Sequence, residues 1–264
     1  MTTPRITLVG GPTALIEVGG FRFLTDPTFD PPGDYQLPYT TLSKTSRPAI
    51  GISEIRPVDA VLLSHDQHWD NLDKSGRAFL SEVPLVLTTV AGAARLKGNA
   101  QGLEPWQTVK LRNKGGGSAE VTATPARHGP AGIEPLSGDV IGFVLTFADI
   151  PAIYVTGDTV WFDGVAEVAR RYDAGIVLIF AGAAQTRGPF HLTMDTNDAI
   201  ETAHAFPNAA IVPVHVEGWK HFRQGGAELR AAFDALGIGA RLRVLDPGTP
   251  TPIEPHLATH LAKA

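Results

Sequence analysis

Cysteine is absent from the 264 residues. Disulfides, thiolate nucleophiles and cysteine-bound zinc are therefore excluded, and any metal must be held by histidine and carboxylate. A basic block is also missing: 22 Lys and Arg stand against 27 Asp and Glu, a formal charge of −5. The electrostatic footprint of a nucleic-acid binder is not there. No apolar run approaches the ~20 residues of a membrane span. Met1–Ile6 lacks the basic-then-apolar character of a leader. The expectation is a soluble, cytoplasmic protein that takes a small-molecule substrate and engages neither nucleic acid nor membrane. Self-association, as a homo-oligomer, is left open. Apolar residues make up 43 % of the chain, enough for a sizeable core. No shift of composition marks a boundary, so residues 1–264 are read as a single domain.

Short apolar runs at Ile6–Val9, Ala14–Val18 and Phe21–Leu24, split by Gly-rich turns, predict a β meander. Residues 26–50, rich in Pro, Gly, Asp and Thr, read as a long surface excursion. Strands are predicted at Ala60–Leu63 and Leu85–Thr89, with helices at Leu72–Val83 and Ala91–Leu96. Further strands are predicted at Val121–Ala126, Val140–Phe147, Ile153–Thr156, Ile176–Phe180, Ala210–Val214 and Arg241–Leu245. Phe162, Val165, Val168, Ala169 and Tyr172 share one helical face. Thr193–Phe206, with Thr193 as N-cap, and Glu228–Leu236 are the other predicted helices. Gly115–Gly117 reads as a hairpin loop, because no helix follows it to cradle phosphate. Residues 247–264 look like a peripheral tail. Two halves that each alternate strands and helices predict an α/β fold, layered with helices outside.

The densest chemistry follows the run Ala60–Leu63. Residues 65–73 contain two imidazoles and three carboxylates. In an extended segment Asp66, His68 and Asp70 would share one side and His65 the other, with Asn71 turning back as the helix begins. Capping by Asp70 or Asn71 would explain one polar residue here, not four. Three more apolar runs each end in a ligand-type residue: His128, Asp158 and His215. Any one alone reads as an ordinary loop histidine or turn. Their shared position at strand ends points to one metal site built by one fold. Trp69, Trp161 and Trp219 each lie within four residues of a proposed ligand and are candidates for a substrate-pocket wall, as is His191. Arg187, Lys220 and His221 read as solvated side chains that could meet an anion. His204, His256 and His260 are assigned to the surface.

From Ile6 to Leu245 the pattern resembles the metallo-β-lactamase fold, and within it the L-ascorbate-6-phosphate lactonases. The resemblance is carried by Ala14–Gly20 with Phe23–Pro27, the Ser64–Asp73 cluster, His128, the Thr-Gly-Asp-Thr of 156–159 and Pro213–His215. It implies a four-layer αββα sandwich with one or two divalent metal ions at one edge. By that analogy His68 and His128 serve the first metal, Asp70 and His215 the second, and Asp158 bridges them.

The family's His-x-His-x-Asp-His motif is altered here. Anchored on Asp70, the ungapped register puts Asp66 in the place of the first histidine and Asn71 in that of the last. A one-residue insertion would put His65 first instead. A second departure is Gly10-Gly11-Pro12, where the relatives have Gly-His. A more oxygen-rich site favours manganese, iron or magnesium over zinc, though zinc stays in the set. The resemblance implies a metal-dependent hydrolase of a lactone or other ester, with Asp70 orienting the nucleophile and moving its proton. A metal-dependent phosphodiesterase is the nearest alternative chemistry, and a catalytically degraded metal- or ligand-binding member of the fold is the other.

Overall fold

The computed structural model describes residues 3–113 and 115–256. Arg5–Gly10, Thr13–Val18 and Phe21–Thr25 form strands β1, β2 and β3, an antiparallel meander. Its tight turns rest on Gly11 at φ +55° and Gly19 at φ +58°, backbone that a side chain would strain. The expected surface excursion contains an antiparallel hairpin, β4 (Gly33–Gln36) and β5 (Thr41–Lys44). A short helix α1 (Ile52–Ile55) leads to β6 (Ala60–Leu62). Then come α2 (Lys74–Phe79), β7 (Val86–Thr89), α3 (Val90–Leu96) and β8 (Ala100–Leu103).

The second half supplies β9 (Thr108–Arg112), β10 (Ser118–Pro125), a short α4 (Glu134–Ser137), β11 (Ile141–Thr146) and β12 (Ala152–Val155). It continues through α5 (Asp163–Arg171), β13 (Ala174–Phe180), α6 (Thr196–Ala205), β14 (Ala210–Val214) and α7 (Gly226–Ala235). A final strand β15 (Thr251–Pro252) returns to β1. One sheet runs β15-β1-β2-β3-β6-β7-β8 and the other β14-β13-β12-β11-β10-β9.

The two sheets bury their inner faces against each other. Ile6, Ile16, Phe23, Leu62 and Leu87 of the first meet Phe143, Leu145, Ile153, Leu178 and Val212 of the second. Each such side chain contributes about 1.5–3 kcal/mol of burial. Outside the first sheet, Leu24, Val61 and Val86 pack on Ile55, Phe79 and Leu80. Outside the second, Tyr154, Val177, Ile179 and Ile211 pack on Val165, Val168, Ala199, Leu229 and Phe233 of α5, α6 and α7. The result is the expected αββα layering. No helix among the described residues is long and apolar enough to cross a membrane.

Several local expectations shift. The helix predicted over Leu72–Val83 begins at Lys74, because Asp73 caps it by accepting from the Gly76 N–H at 2.8 Å, and it relaxes to a 3-10 turn over Leu80–Glu82. Asp195 replaces Thr193 as the cap of α6; the Thr193 hydroxyl instead accepts from the Ala184 N–H at 3.0 Å. The strand expected at Arg241–Leu245 is absent. A 3-10 turn occupies Gly239–Arg241, and a single bridge joins Ile211 to Leu242. The buried Arg241 guanidinium holds this segment by donating to the carbonyls of Ala203, Phe206 and Ala209. His204 is exposed as expected, and His260 lies outside the described residues.

Candidate metal centre

β3, β6, β10, β12 and β14 all end at the same edge of the sandwich, as their parallel and antiparallel pairings require. Asp26 follows β3; His65, His68 and Asp70 follow β6; His128 follows β10; Asp158 follows β12; His215 follows β14. Gly157, at φ +63°, permits the close approach of the Asp158 loop. A Cβ there would lie 2.6 Å from the Ile141 carbonyl oxygen and 2.9 Å from Ser64 Cβ. The His128 and Asp158 loops are tied together, since the Arg127 N–H donates to Thr159 Oγ1 at 2.9 Å and the Val160 N–H to the Arg127 carbonyl at 2.9 Å.

His65, His68, His128 and Asp158 bring one ligand atom each to within 4.8 Å of one another. His68 Nδ1 lies 2.8 Å from His65 Nε2 and 3.1 Å from His128 Nε2. Their outer nitrogens fix their protons. His128 Nδ1 donates to the Leu192 carbonyl at 2.7 Å, so its Nε2 carries a lone pair. The Ser64 N–H donates to Asp26 Oδ1 at 2.6 Å and the Ser64 hydroxyl to Asp26 Oδ2 at 2.7 Å. Above pH about 7, where Asp26 is ionised, the Ser64 hydrogen is spent on it and Ser64 Oγ accepts from His65 Nδ1 at 2.9 Å. His65 Nε2 is thus also a bare lone pair. Burial keeps all three imidazoles neutral, pushing His68 and His128 down to about 4 and His65 well below the ordinary histidine range. One Nδ1 hydrogen on His68 can satisfy only one of two facing lone pairs. Three neutral nitrogens and a carboxylate converging in this way are a cation's donor set.

The second half of the centre lies beyond Asp158. His215 Nε2 stands 3.6 Å from both Asp158 Oδ1 and Asp70 Oδ2. Both His215 nitrogens and Asp158 Oδ1 are buried with no hydrogen-bond partner among the described residues. Orphaned buried polar atoms are costly unless something binds there, so these residues fit a cation. Burial pushes Asp70 up, but the facing His215 imidazole and the hydrogen bond with His221 outweigh it and hold the carboxyl well below the usual carboxylate range. Burial raises the Asp158 carboxyl. Burial also disfavours charge on His215, yet the carboxylates of Asp158 and Asp70 prevail and hold its pKa above the ordinary value.

Asp66 is not brought to this centre. The chain bends at Ser64, Asp66 and Gln67, so the two-residue alternation expected for an extended segment fails. Asp66 turns outward and accepts from Arg95 Nε at 3.0 Å, while His65 takes the place assigned to it. The donor set is accordingly richer in nitrogen than the sequence suggested. Asn71 Nδ2 donates to Asp26 Oδ2 at 3.1 Å, and its Oδ1 is buried without a partner.

His221, read from sequence as a solvated side chain, is buried, with Nε2 2.9 Å from Asp70 Oδ2. Its neighbours Trp219 and Phe222 are the one sequence signal of burial there.

The substrate-wall candidates are placed as follows. The cavity over the centre is lined by His68, Asp70, His128 and His221 below and by Leu37, Tyr39, Leu42, Arg187 and Leu192 above, with none of the proposed tryptophans. Trp69 and Trp219 sandwich Tyr35, each with ring centroids 5.5 Å from it, and hold the hairpin. Trp161 packs in the helix layer. His191 Nε2 pairs with Asp195 Oδ2 at 3.0 Å, at the start of α6.

Comparison with known proteins agrees with this arrangement. A profile described as a beta-lactamase superfamily domain matches residues 21–216. The chain is 26 % identical over 253 residues to the UPF0173 protein YddR of Bacillus subtilis strain 168, covering 92 % of this chain and 98 % of the relative. It is 27 % identical to a UPF0173 metal-dependent hydrolase of Caldivirga maquilingensis, covering 88 % of this chain and 91 % of that one. The crystal structure of an isothiocyanate hydrolase from Delia radicum gut bacteria superposes with a TM-score of 0.81 at 25 % identity, covering 95 % of this chain and 99 % of the other. The strand order, the strand-end ligands and these likenesses converge: the chain belongs to the beta-lactamase superfamily and has the metallo-β-lactamase fold.

Proposed function

We propose that this protein is a metal-dependent hydrolase of a small molecule, with His65, His68, His128 and Asp158 holding one divalent ion and Asp158, Asp70 and His215 a second. The observation that carries the reading is the meeting of three neutral imidazole nitrogens beside a buried carboxylate. Three nitrogens and one oxygen suit zinc in the first position, with manganese or iron as the competing ions. Bound there, the ions supply Lewis acidity and a water activated near neutral pH.

The chain's own residues do the rest. Asp70, kept ionised by His215 and His221, accepts the proton of the attacking water at Oδ2. His221 Nε2 holds that carboxylate in place. Asp158 fixes the spacing of the two positions. The free volume of the cavity, about 20 Å³, accommodates one water.

The bond cleaved is that of a lactone or other ester, the reading motivated by the sequence resemblance to lactonases. A second reading, hydrolysis of an isothiocyanate, is favoured by the likeness to the isothiocyanate hydrolase. The test is elemental analysis of freshly purified protein, followed by turnover of lactones, aryl esters, isothiocyanates and phosphodiesters after loading with zinc, manganese or iron. One to two equivalents of metal and turnover in one of the first three classes are expected. Protein that takes up no metal and turns over none of them is a degraded member of the fold, and the proposal fails. Turnover of diesters alone moves the chemistry to phosphoryl transfer.

A further inference from the structure

Arg187 stands apart from the other cations around the centre. It lines the cavity that opens on His68, Asp70 and His128. Its guanidinium lies 3.8 Å from the ring centroid of Tyr39, a contact across the mouth between the 183–192 loop and the tip of the β4–β5 hairpin. Among the described residues it has neither an ion pair nor a hydrogen bond, whereas Lys44 is spent on Asp73 and Arg127 on the Gly129 carbonyl. It is close enough to the centre that its charge helps to disfavour protonation of His68. The free space beneath it holds one water. A substrate larger than a water must widen this space, and a half-buried guanidinium turned away from its ring needs a new partner.

We propose, on the basis of the hydrolase reading above, that Arg187 determines specificity by taking the carboxylate of a small substrate with a short apolar body. Its five donors form a planar fork matched to a carboxylate. Leu37, Leu42 and Leu192 around it suit an apolar body, and the neighbouring Thr186 hydroxyl is a neutral second donor. A phosphate dianion, with three strongly accepting oxygens and up to two charges, would meet a single guanidinium in this lining. The carboxylate replaces Tyr39 as the partner of Arg187, while the bond to be cleaved reaches down toward His68 and Asp70.

Two measurements on the metal-loaded full-length protein test this. Phenylglyoxal labelling of Arg187, read by peptide mass spectrometry, is expected to slow at least about 5-fold in millimolar 4-methylpentanoate and to be unaffected by 4-methylpentanamide. In the second, KM is compared for monomethyl and dimethyl glutarate. Arg187→Met is expected to raise KM for the monoacid about 10-fold and leave the diester within about 2-fold, and Arg187→Lys is expected to recover part of the loss. Equal protection by acid and amide, protection by inorganic phosphate but not by the acid, or an unchanged KM ratio in Arg187→Met would overturn the proposal. The labelling arm decides it even if neither glutarate ester is turned over, an outcome that would count against the ester reading of the centre and not against Arg187.

Discussion

Asp26→Asn separates the centre's electrostatics from its architecture. Asp26 is fully buried, and burial pushes its carboxyl up to about 7 from 3.8. Between pH ~4 and ~7 the folded protein therefore keeps a proton that the unfolded chain has lost. Stability falls as pH rises through this window, and above it the penalty approaches about 4 kcal/mol, about three units at 1.36 kcal/mol each. Replacing the carboxylate by an amide removes that penalty. It costs about 1–2 kcal/mol in hydrogen bonds, because the new NH2 cannot accept from the Ser64 hydroxyl or Asn71 Nδ2. At pH 8 the metal-free variant should be as stable as the parent or about 2 kcal/mol more stable. At pH 3 or below, where both folded and unfolded parent are largely protonated, it should gain nothing.

Metal binding should move the other way. The amide donates to Ser64 Oγ, whose hydrogen then turns to His65 Nδ1. That places the ring hydrogen on Nε2, where the donor lone pair is needed. Affinity for the first ion should fall about 10–100-fold. Competition against a chromophoric zinc chelator at pH 8, with urea unfolding at pH 8 and pH 3, measures both quantities. Unchanged zinc affinity would show that the Asp26–Ser64–His65 chain does not set the tautomer. Loss of affinity together with loss of stability at both pH values would reduce Asp26 to a structural prop.

Other outcomes are equally specific. His128→Ala should lose the first ion in elemental analysis while its Tm falls by only a few degrees, since one hydrogen bond to Leu192 is removed, worth about 1 kcal/mol. Asp66→Ala should keep the full metal content and lose about 1 kcal/mol or less in urea unfolding, because its partner Arg95 is half-exposed; loss of metal would restore Asp66 as a ligand. Lys44→Ala strands the buried Asp73 carboxylate, 3.0 Å from Lys44 Nζ, and should cost about 3–5 kcal/mol with loosening of the hairpin, seen as faster amide exchange over residues 33–44. Gly157→Ala, strained at φ +63° and pressed on the Ile141 carbonyl, should weaken metal binding by displacing Asp158, measurable by calorimetric titration.

The sandwich and most of its centre could be read from the chain because the physics there is local. His128, Asp158 and His215 each follow an apolar run, His68 and Asp70 lie a few residues past another, and a buried strand that stops in a polar segment identifies itself. Asp66 was misplaced because the alternation rule assumes an extended backbone, and three bends within four residues break it. His221 reads from the sequence as solvated because its partner Asp70 lies 151 residues away, and no local pattern encodes such a meeting. The β4–β5 hairpin was hidden by flanking proline and glycine. Its stability comes from Tyr35 between two tryptophans and from the Lys44–Asp73 pair, all of them distant contacts. Arg241–Leu245 has a strand's composition but spends its hydrogen bonds on a buried guanidinium instead of a ladder.

The edge where the strands stop has a mechanical consequence. One group of donors hangs from the first sheet and another from the second, so an ion held between them staples two layers that otherwise adhere mainly through greasy, non-directional contact and a few hydrogen bonds. Slippage of one layer over the other would then have to break coordination as well as packing. Loading should raise the temperature at which the sandwich comes apart, and removing the ion should loosen the seam first at this rim and last at the far side.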